Sequence, residues 1–335
     1  MSRLPVVAAP MAGGPSTPAL VAAVAAAGGY GYLAAGYLTA ERLAAQIAEL
    51  RERSTAPFGV NLFLPGPPEE RDVRRYARRI APEAAALEVE LGDPHPWDDP
   101  DVGTRLDEKI RVLRDDPPDT ISLTFALPDP DRLAALRATG ARLTATVTSP
   151  EEAAAAERLG LDGLVVQGTD AGGHRGIHDV GIEPSDVDTL DLLVEVRRRT
   201  GLPVIAAGGV HDAAGVRRAL DAGATAVQLG TAFLRTDAAG TSATHRDALA
   251  DPDVSGTLVT RAFTGRPARA LTNRFAVEHG PLAPAAYPEL HHLTRPIRAA
   301  AAAAGDTSRL HLWAGVHFRR ADDGPAAEVV RRLTP

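Results

Sequence analysis

The chain has no cysteine among its 335 residues. That absence excludes disulfides, iron–sulfur clusters, thiolate zinc sites and cysteine nucleophiles together, and it fits a reducing, cytoplasmic compartment. Aromatic residues are scarce at 4 %, although hydrophobic residues as a whole reach 44 %. Such a chain is globular, with a core built by close helix–sheet contact of small aliphatic residues. Long basic runs are missing too, and the formal net charge is −7, which argues against nucleic acid as a partner. Between Arg3 and Glu41 there is no charge at all, but Pro10, Pro15 and Pro18, then Gly28, Gly29 and Gly31, divide this stretch. The pieces are too short to cross a bilayer as a helix, and the basic start and continuous apolar core of a signal peptide are lacking. A soluble protein with no membrane partner is expected.

What is present is a rhythm. Short apolar runs alternate with Ala/Leu/Arg-rich helical stretches, the pattern of repeated βα units around a parallel sheet. Strands are predicted at Pro5–Ala9, Tyr30–Ala34, Phe58–Leu62, Thr120–Thr124, Arg142–Val147, Gly163–Gln167, Pro203–Ala207 and Ala226–Leu229. Helices are predicted at Pro18–Ala27, Ala40–Arg53, Pro130–Thr139, Pro150–Leu159, Val187–Thr200 and Ala213–Ala222, with Ser149 and Asp212 as cap residues. This order points to an α/β fold, a (β/α)8 TIM barrel, with a doubly wound sheet as the alternative. Two regions depart from a plain barrel. Residues 65–118 are too long for an ordinary βα connection and read as a helical excursion with an irregular loop. From Thr236 to Ser308 the strand rhythm stops, so a second, smaller, mainly helical domain is expected at 236–308. The barrel then occupies 1–235, and 309–335 returns to it, with Ala326–Leu333 as the closing helix.

The most informative stretch runs from Val165 to Gly176: a buried strand, then a turn with four glycines around His174. Glycine lets a backbone approach a flat ligand or adopt positive φ freely. A histidine at such a loop tip would have both its neutral and charged forms accessible near pH 7. In barrels of this type the active site lies at the C-terminal strand ends, with phosphate often held after strands seven and eight. Strand seven ends Ala206-Ala207-Gly208-Gly209 and strand eight ends Gln228-Leu229-Gly230-Thr231. Both turns can offer backbone N–H groups to a phosphate, the second with a hydroxyl beside them. Asn61, Gln167 and Gln228 stand at strand ends, where a sealed core would not choose amides; they suit a heteroaromatic ring with N–H and C=O edges. Taken separately, each glycine turn could be only a tight turn and each amide a satisfied core group. Flavin mononucleotide would use both parts of the site, and no Gly-x-Gly-x-x-Gly for an adenine dinucleotide is present.

Other candidates read more plainly. His174 and His178 are four apart, but glycines at 172, 173 and 176 argue against a helix and no third ligand is evident, so no metal is expected. His291-His292 reads as solvated surface, as do Arg78-Arg79 and Arg197–Arg199. Asp98, Asp99 and Asp101 resemble an acidic cation loop but lack the glycine and distal glutamate of a calcium site.

The chain resembles the nitronate monooxygenases, formerly called 2-nitropropane dioxygenases. The likeness rests on Ala9–Pro18 followed by Ala27–Gly31, the Asn61 strand, the Gln167–Gly176 run, the Ala206–Gly209 and Gln228–Thr231 turns, and Gly265–Ala270 followed by Asn273-Arg274. It spans nearly the whole chain. The resemblance implies an FMN-containing barrel that oxidises alkyl nitronates, and often nitroalkanes, with O2 to a carbonyl compound and nitrite. It implies His174 as the catalytic residue, and Asn61, Gln167, Gly172, Gly209, Gln228, Gly230 and Thr231 as cofactor contacts, with Met11 near the ring; Gly173 and Gly208 belong to the same turns. Two positions depart from the family's pattern. Asp170 stands where glutamate is more usual, and Trp313-Ala314-Gly315-Val316-His317 replaces a more usual Ala-Gly-Gln. The expected partners are a small nitronate or nitroalkane and O2, with a homodimer as the expected assembly. The rival readings are a flavin-dependent NAD(P)H enoyl-acyl-carrier-protein reductase and a non-catalytic flavin-binding accessory protein.

Overall fold

The computed structural model describes residues 3–66, 73–96, 99 and 104–335. The eight predicted strands form as β1 (Val6–Ala8), β2 (Tyr30–Ala34), β3 (Gly59–Phe63), β4 (Thr120–Thr124), β5 (Arg142–Val147) and β6 (Gly163–Gln167), then, after a short β7 (Gly173–His174) that belongs elsewhere, β8 (Val204–Ala207) and β9 (Ala226–Leu229). All eight are parallel and close in chain order, with β9 pairing back onto β1 at Val6↔Val227. Closure excludes the doubly wound alternative. The strands are covered on both faces, which is why they read as apolar runs without alternation.

Helices wrap the barrel: α1 (Pro18–Ala26), α2 (Ala40–Arg53), α3 (Arg74–Ala85), α4 (Thr104–Asp115), α5 (Pro130–Arg137), α6 (Pro150–Arg158), α7 (Thr189–Arg197) and α8 (Ala213–Asp221), with α3 as the exception discussed next. Thr17, Thr39, Asp129, Ser149, Asp188 and Asp212 each accept a first-turn backbone N–H, so local capping sets where these helices begin. Asp188 also starts α7 later than the predicted Val187.

The excursion after β3 serves two layers. Its α4 packs on α2 and α5 in the barrel ring. Its α3 leaves the barrel, and Tyr76, Ile80 and Ala84 join Phe263, Phe275, Leu290 and Ile297 in a separate core. Glu83 of α3 accepts from Arg274 at 2.6 and 2.7 Å and from Arg309 at 2.7 Å. Beyond β9 the chain is mainly helical, with α9 (Ala243–Ala250), α10 (Arg274–His279) and α11 (Glu289–Ala303). It adds what the sequence pattern did not announce: β10 (Thr257–Thr260) and β11 (Ala268–Leu271) form an antiparallel sheet with β7. These strands are short and carry arginine and threonine rather than a clean apolar alternation. Finally α12 (Ala326–Leu333) packs on α1 and α8, taking the eighth helix position from the far end of the chain.

Among the described residues no helix is long and apolar enough to cross a membrane. Asp98 and Asp101 of the acidic loop lie outside the described residues.

Candidate active site

A cavity of about 700 Å³ opens at the C-terminal ends of the barrel strands, roofed by the second layer. Every candidate from the sequence lines it: Met11, Asn61, Gln167, Gly172, Gly173, His174, Gly208, Gly209, Gln228, Gly230 and Thr231. Barrel geometry accounts for this convergence, because parallel strands end together at one mouth.

The three amides have different employments. Gln167 is engaged within the protein: Nε2 donates to the His174 carbonyl at 2.9 Å, and Oε1 accepts from the Gly176 N–H at 2.7 Å. It clamps the glycine turn with one of its two N–H groups and one of its two lone pairs. Asn61 donates from Nδ2 to Thr124 Oγ1 at 2.9 Å and to Ser122 Oγ at 3.2 Å. Gln228 differs, because its Oε1 is buried without a partner among the described residues. A buried acceptor left open in a cavity wall calls for a donor on a ligand.

The glycines also divide. A Cβ on Gly172 would lie 2.5 Å from Gly315 N and 2.6 Å from the Ala314 carbonyl carbon, so this glycine is required by the passing C-terminal segment. Gly208 and Gly209 both take positive φ, at 114° and 68°, and make the abrupt turn out of β8. Thr231 Oγ1 accepts from the Gly315 N–H at 2.9 Å, and Val316 donates its N–H to the Asp170 carbonyl at 3.2 Å. The departure at Trp313–His317 therefore leaves the returning segment docked, because backbone groups make both contacts. At the same end of the cavity His211 and His317 bring their rings to 4.0 Å, with Arg320 also on the wall.

His174 is not at a loop tip. It is a strand residue of β7, paired with Ala268 of β11. Its ring sits among Phe125, Tyr287 and Trp313, with centroids 5.7, 5.8 and 5.2 Å away, and Nε2 lies 2.9 Å from Thr264 Oγ1. Its remaining exposure is to the cavity. Burial in this apolar wall, aided by the positive charges of Arg266 and Arg298, pushes its pKa down to about 3. The imidazole is neutral throughout the physiological range, contrary to the expectation of two accessible forms. His178, by contrast, hydrogen-bonds the Thr146 carbonyl through Nε2 at 2.9 Å and stays off the cavity wall.

His291 and His292 overturn the solvated-surface reading, since both are buried and both line the cavity. His291 stacks on Tyr37 at 4.1 Å, and His292 pairs with Asp99 at 2.9 Å. On α11 the polar side chains Glu289, His291, His292, Thr294 and Arg298 are all buried. A polar stripe at helical spacing was the available signal; it becomes legible only once that face is known to look into a cavity. Thr264 carried no signal, and Trp313 only that of a departure from the family's pattern; the β7–β11 pairing and the bridge from Ala270 to Trp313 bring this region beside His174.

The sequence pattern of the family described as nitronate monooxygenase matches residues 2–335. The nitronate monooxygenase of Pseudomonas aeruginosa is 38 % identical, over 98 % of this chain and 95 % of its own length. The chain belongs to the nitronate monooxygenase family. Among solved structures, a nitroalkane oxidase from Streptomyces ansochromogenes is 49 % identical with a TM-score of 0.93, covering 99 % of this chain and 95 % of its own. FabK from Thermotoga maritima is more distant, at 25 % identity and a TM-score of 0.74, covering 99 % of this chain and 92 % of its own. Most of the motifs that carry the family likeness, among them the Asn61 strand, the Gln167–Gly176 run and the turns after β8 and β9, meet at the cavity.

Proposed function

We propose that this protein is an FMN enzyme that oxidises alkyl nitronates, and the nitroalkanes related to them by one proton, with O2 to a carbonyl compound and nitrite. One observation carries the reading: the open Gln228 carbonyl and the β8 and β9 turns share a cavity with a neutral, aromatic-walled His174. The fit to a flavin is good. Gln228 would meet a ring N–H, Gly208, Gly209, Gly230 and Thr231 would hold the phosphate, and Met11 and Asn61 would border the ring. Gln167, Gly172 and Gly173 shape the wall behind it. Bound there, the flavin supplies the one-electron and O2 chemistry that no side chain of this chain can supply.

The protein's own part is orientation, exclusion of water and control of one proton. Thr264 fixes the His174 ring through Nε2. An imidazole of such low basicity is a weak acceptor for a carbon-bound proton. A preformed nitronate has already lost that proton, so the site favours the nitronate over the neutral nitroalkane. Anaerobic mixing of the purified, flavin-loaded protein with a nitronate and, separately, with NADH tests the reading. Flavin bleaching by the nitronate, followed by nitrite release in air, is the expected outcome. Rapid bleaching by NADH with no nitrite would hand the protein to the enoyl reductase reading, and bleaching by neither to a non-catalytic one.

A further inference from the structure

The cavity wall contains a charge that the reading above leaves unused. Arg298 on α11 is 7 % exposed and lines the same cavity as His174. Two of its nitrogens are tied down: Nε donates to Thr294 Oγ1 at 3.1 Å and Nη2 to the His291 carbonyl at 2.7 Å. Thr294 is itself anchored on the Phe263 carbonyl. The guanidinium is therefore oriented, yet no protein acceptor takes Nη1 and no carboxylate pairs with the group among the described residues. Burial lowers its pKa only to about 10, so it stays charged at neutral pH. Burying a cation without a counter-charge is unfavourable unless a ligand completes it.

The surroundings show what would complete it. His174, His291 and His311 are each held neutral by burial, and the Arg298 charge pushes all three in the same direction. Arg295, one turn earlier on α11 and exposed, lines the cavity as well, extending the positive field outward along the helix. The other buried arginines beside His174 are not among the residues that line the cavity. Arg266 donates to the Ile177 carbonyl and lies over the Phe125 ring at 4.0 Å. The glycine turns follow β8 and β9, and His211, His317 and Arg320 line the cavity from elements other than α11, so a cofactor phosphate held by those turns leaves Arg298 free for another anion. A guanidinium edge matches a planar anion with oxygens in the plane.

We propose that Arg298 binds the anionic head of the substrate, making this cavity a receptor for a small planar monoanion rather than for a neutral molecule. The identity of that monoanion as a nitronate rests on the function proposed above; the anion site itself does not. Nitrate, planar and monoanionic with trigonal nitrogen, is the inert probe, titrated into flavin-loaded protein and followed by the visible flavin spectrum. Wild type should bind it saturably, and Arg298→Gln should weaken that binding by roughly 10-fold or more, the scale of a lost charge-assisted pair. The same substitution should raise KM for the nitronate comparably while changing kcat less. Arg298→Lys keeps the charge and protects the fold; it should bind nitrate at least about 3-fold more weakly than wild type, because the ammonium lacks the planar edge. Unchanged nitrate affinity in Arg298→Lys and in any folded Arg298→Gln overturns the proposal. So does a change confined to the flavin midpoint potential, which would assign Arg298 to the cofactor. Nitrate binding through Arg298 in a protein that oxidises no nitronate would keep the anion site and remove the functional reading. Nitronate oxidation indifferent to both substitutions would do the reverse.

Discussion

Replacing His174 by Asn should make the protein less sensitive to acid, and the size of the effect follows from the burial of the ring. Unfolded, the imidazole titrates near 6.5; folded, it titrates near 3. The unfolded chain therefore binds this proton more tightly, so the contribution is present above about pH 6.5 and is lost as pH falls toward 3. At about 1.4 kcal/mol per unit, the drop from pH 7 to pH 5 removes roughly 2 kcal/mol through this one group. Water in the cavity screens part of the penalty, which makes 2 kcal/mol an upper figure. With an unfolding entropy of about 2.1 cal/mol/K per residue, that corresponds to roughly 3 °C in Tm for a chain of this length. The assay is a thermal melt of flavin-loaded wild type and His174→Asn at both pH values. Both proteins also lose the contribution of His245, pushed down to about 4 by burial, and wild type loses that of His174 in addition. The difference between the two proteins isolates His174. Equal losses in wild type and variant would show that the ring titrates normally and would remove the argument for nitronate preference.

Five further outcomes are expected. Thr264→Val should lower nitronate turnover by roughly 10-fold at unchanged flavin content, with Thr264→Ser restoring it, because the hydroxyl orients His174; a loss in the serine variant as well would make position 264 a packing site. Gly172→Ala forces a methyl onto Gly315 and should destabilise the fold by about 2–3 kcal/mol, read by thermal melting. Glu83→Gln removes the carboxylate that Arg274 and Arg309 share, leaving each its second partner, Glu278 and Asp306, and should cost about 1 kcal/mol by denaturant titration; the hydrogen bond from Arg274 holds that carboxyl well below its usual range, so its contribution is present above about pH 4.5 and fades in acid. Heating should release FMN and no FAD, and Gly209→Val, with φ at 68° and Asp170 Oδ2 only 2.8 Å from a Cβ, should abolish flavin retention; chromatography of the released chromophore checks both.

Much of the barrel was written locally. Each strand is a short apolar run, each outer helix through α8 except α3 and α4 matches a predicted one, and caps such as Thr39 and Ser149 act within one turn of their own helix. The candidates at strand ends converge for the same reason: a closed parallel barrel brings every C-terminal strand end to one rim, so a residue's place along its strand already assigns it to the mouth. The chemistry of that mouth was not local. The state of His174 depends on Phe125, Tyr287, Trp313 and Thr264, which come from distant parts of the chain and meet only in the folded tertiary structure. Gly172 proved to be shaped by Ala314 and Gly315, and His291 and Arg298 became cavity residues because α11 turns its polar stripe inward. Periodicity reports which residues share a face. What that face meets, and hence whether an imidazole is charged or a guanidinium is paired, is set by long-range packing and the desolvation it imposes.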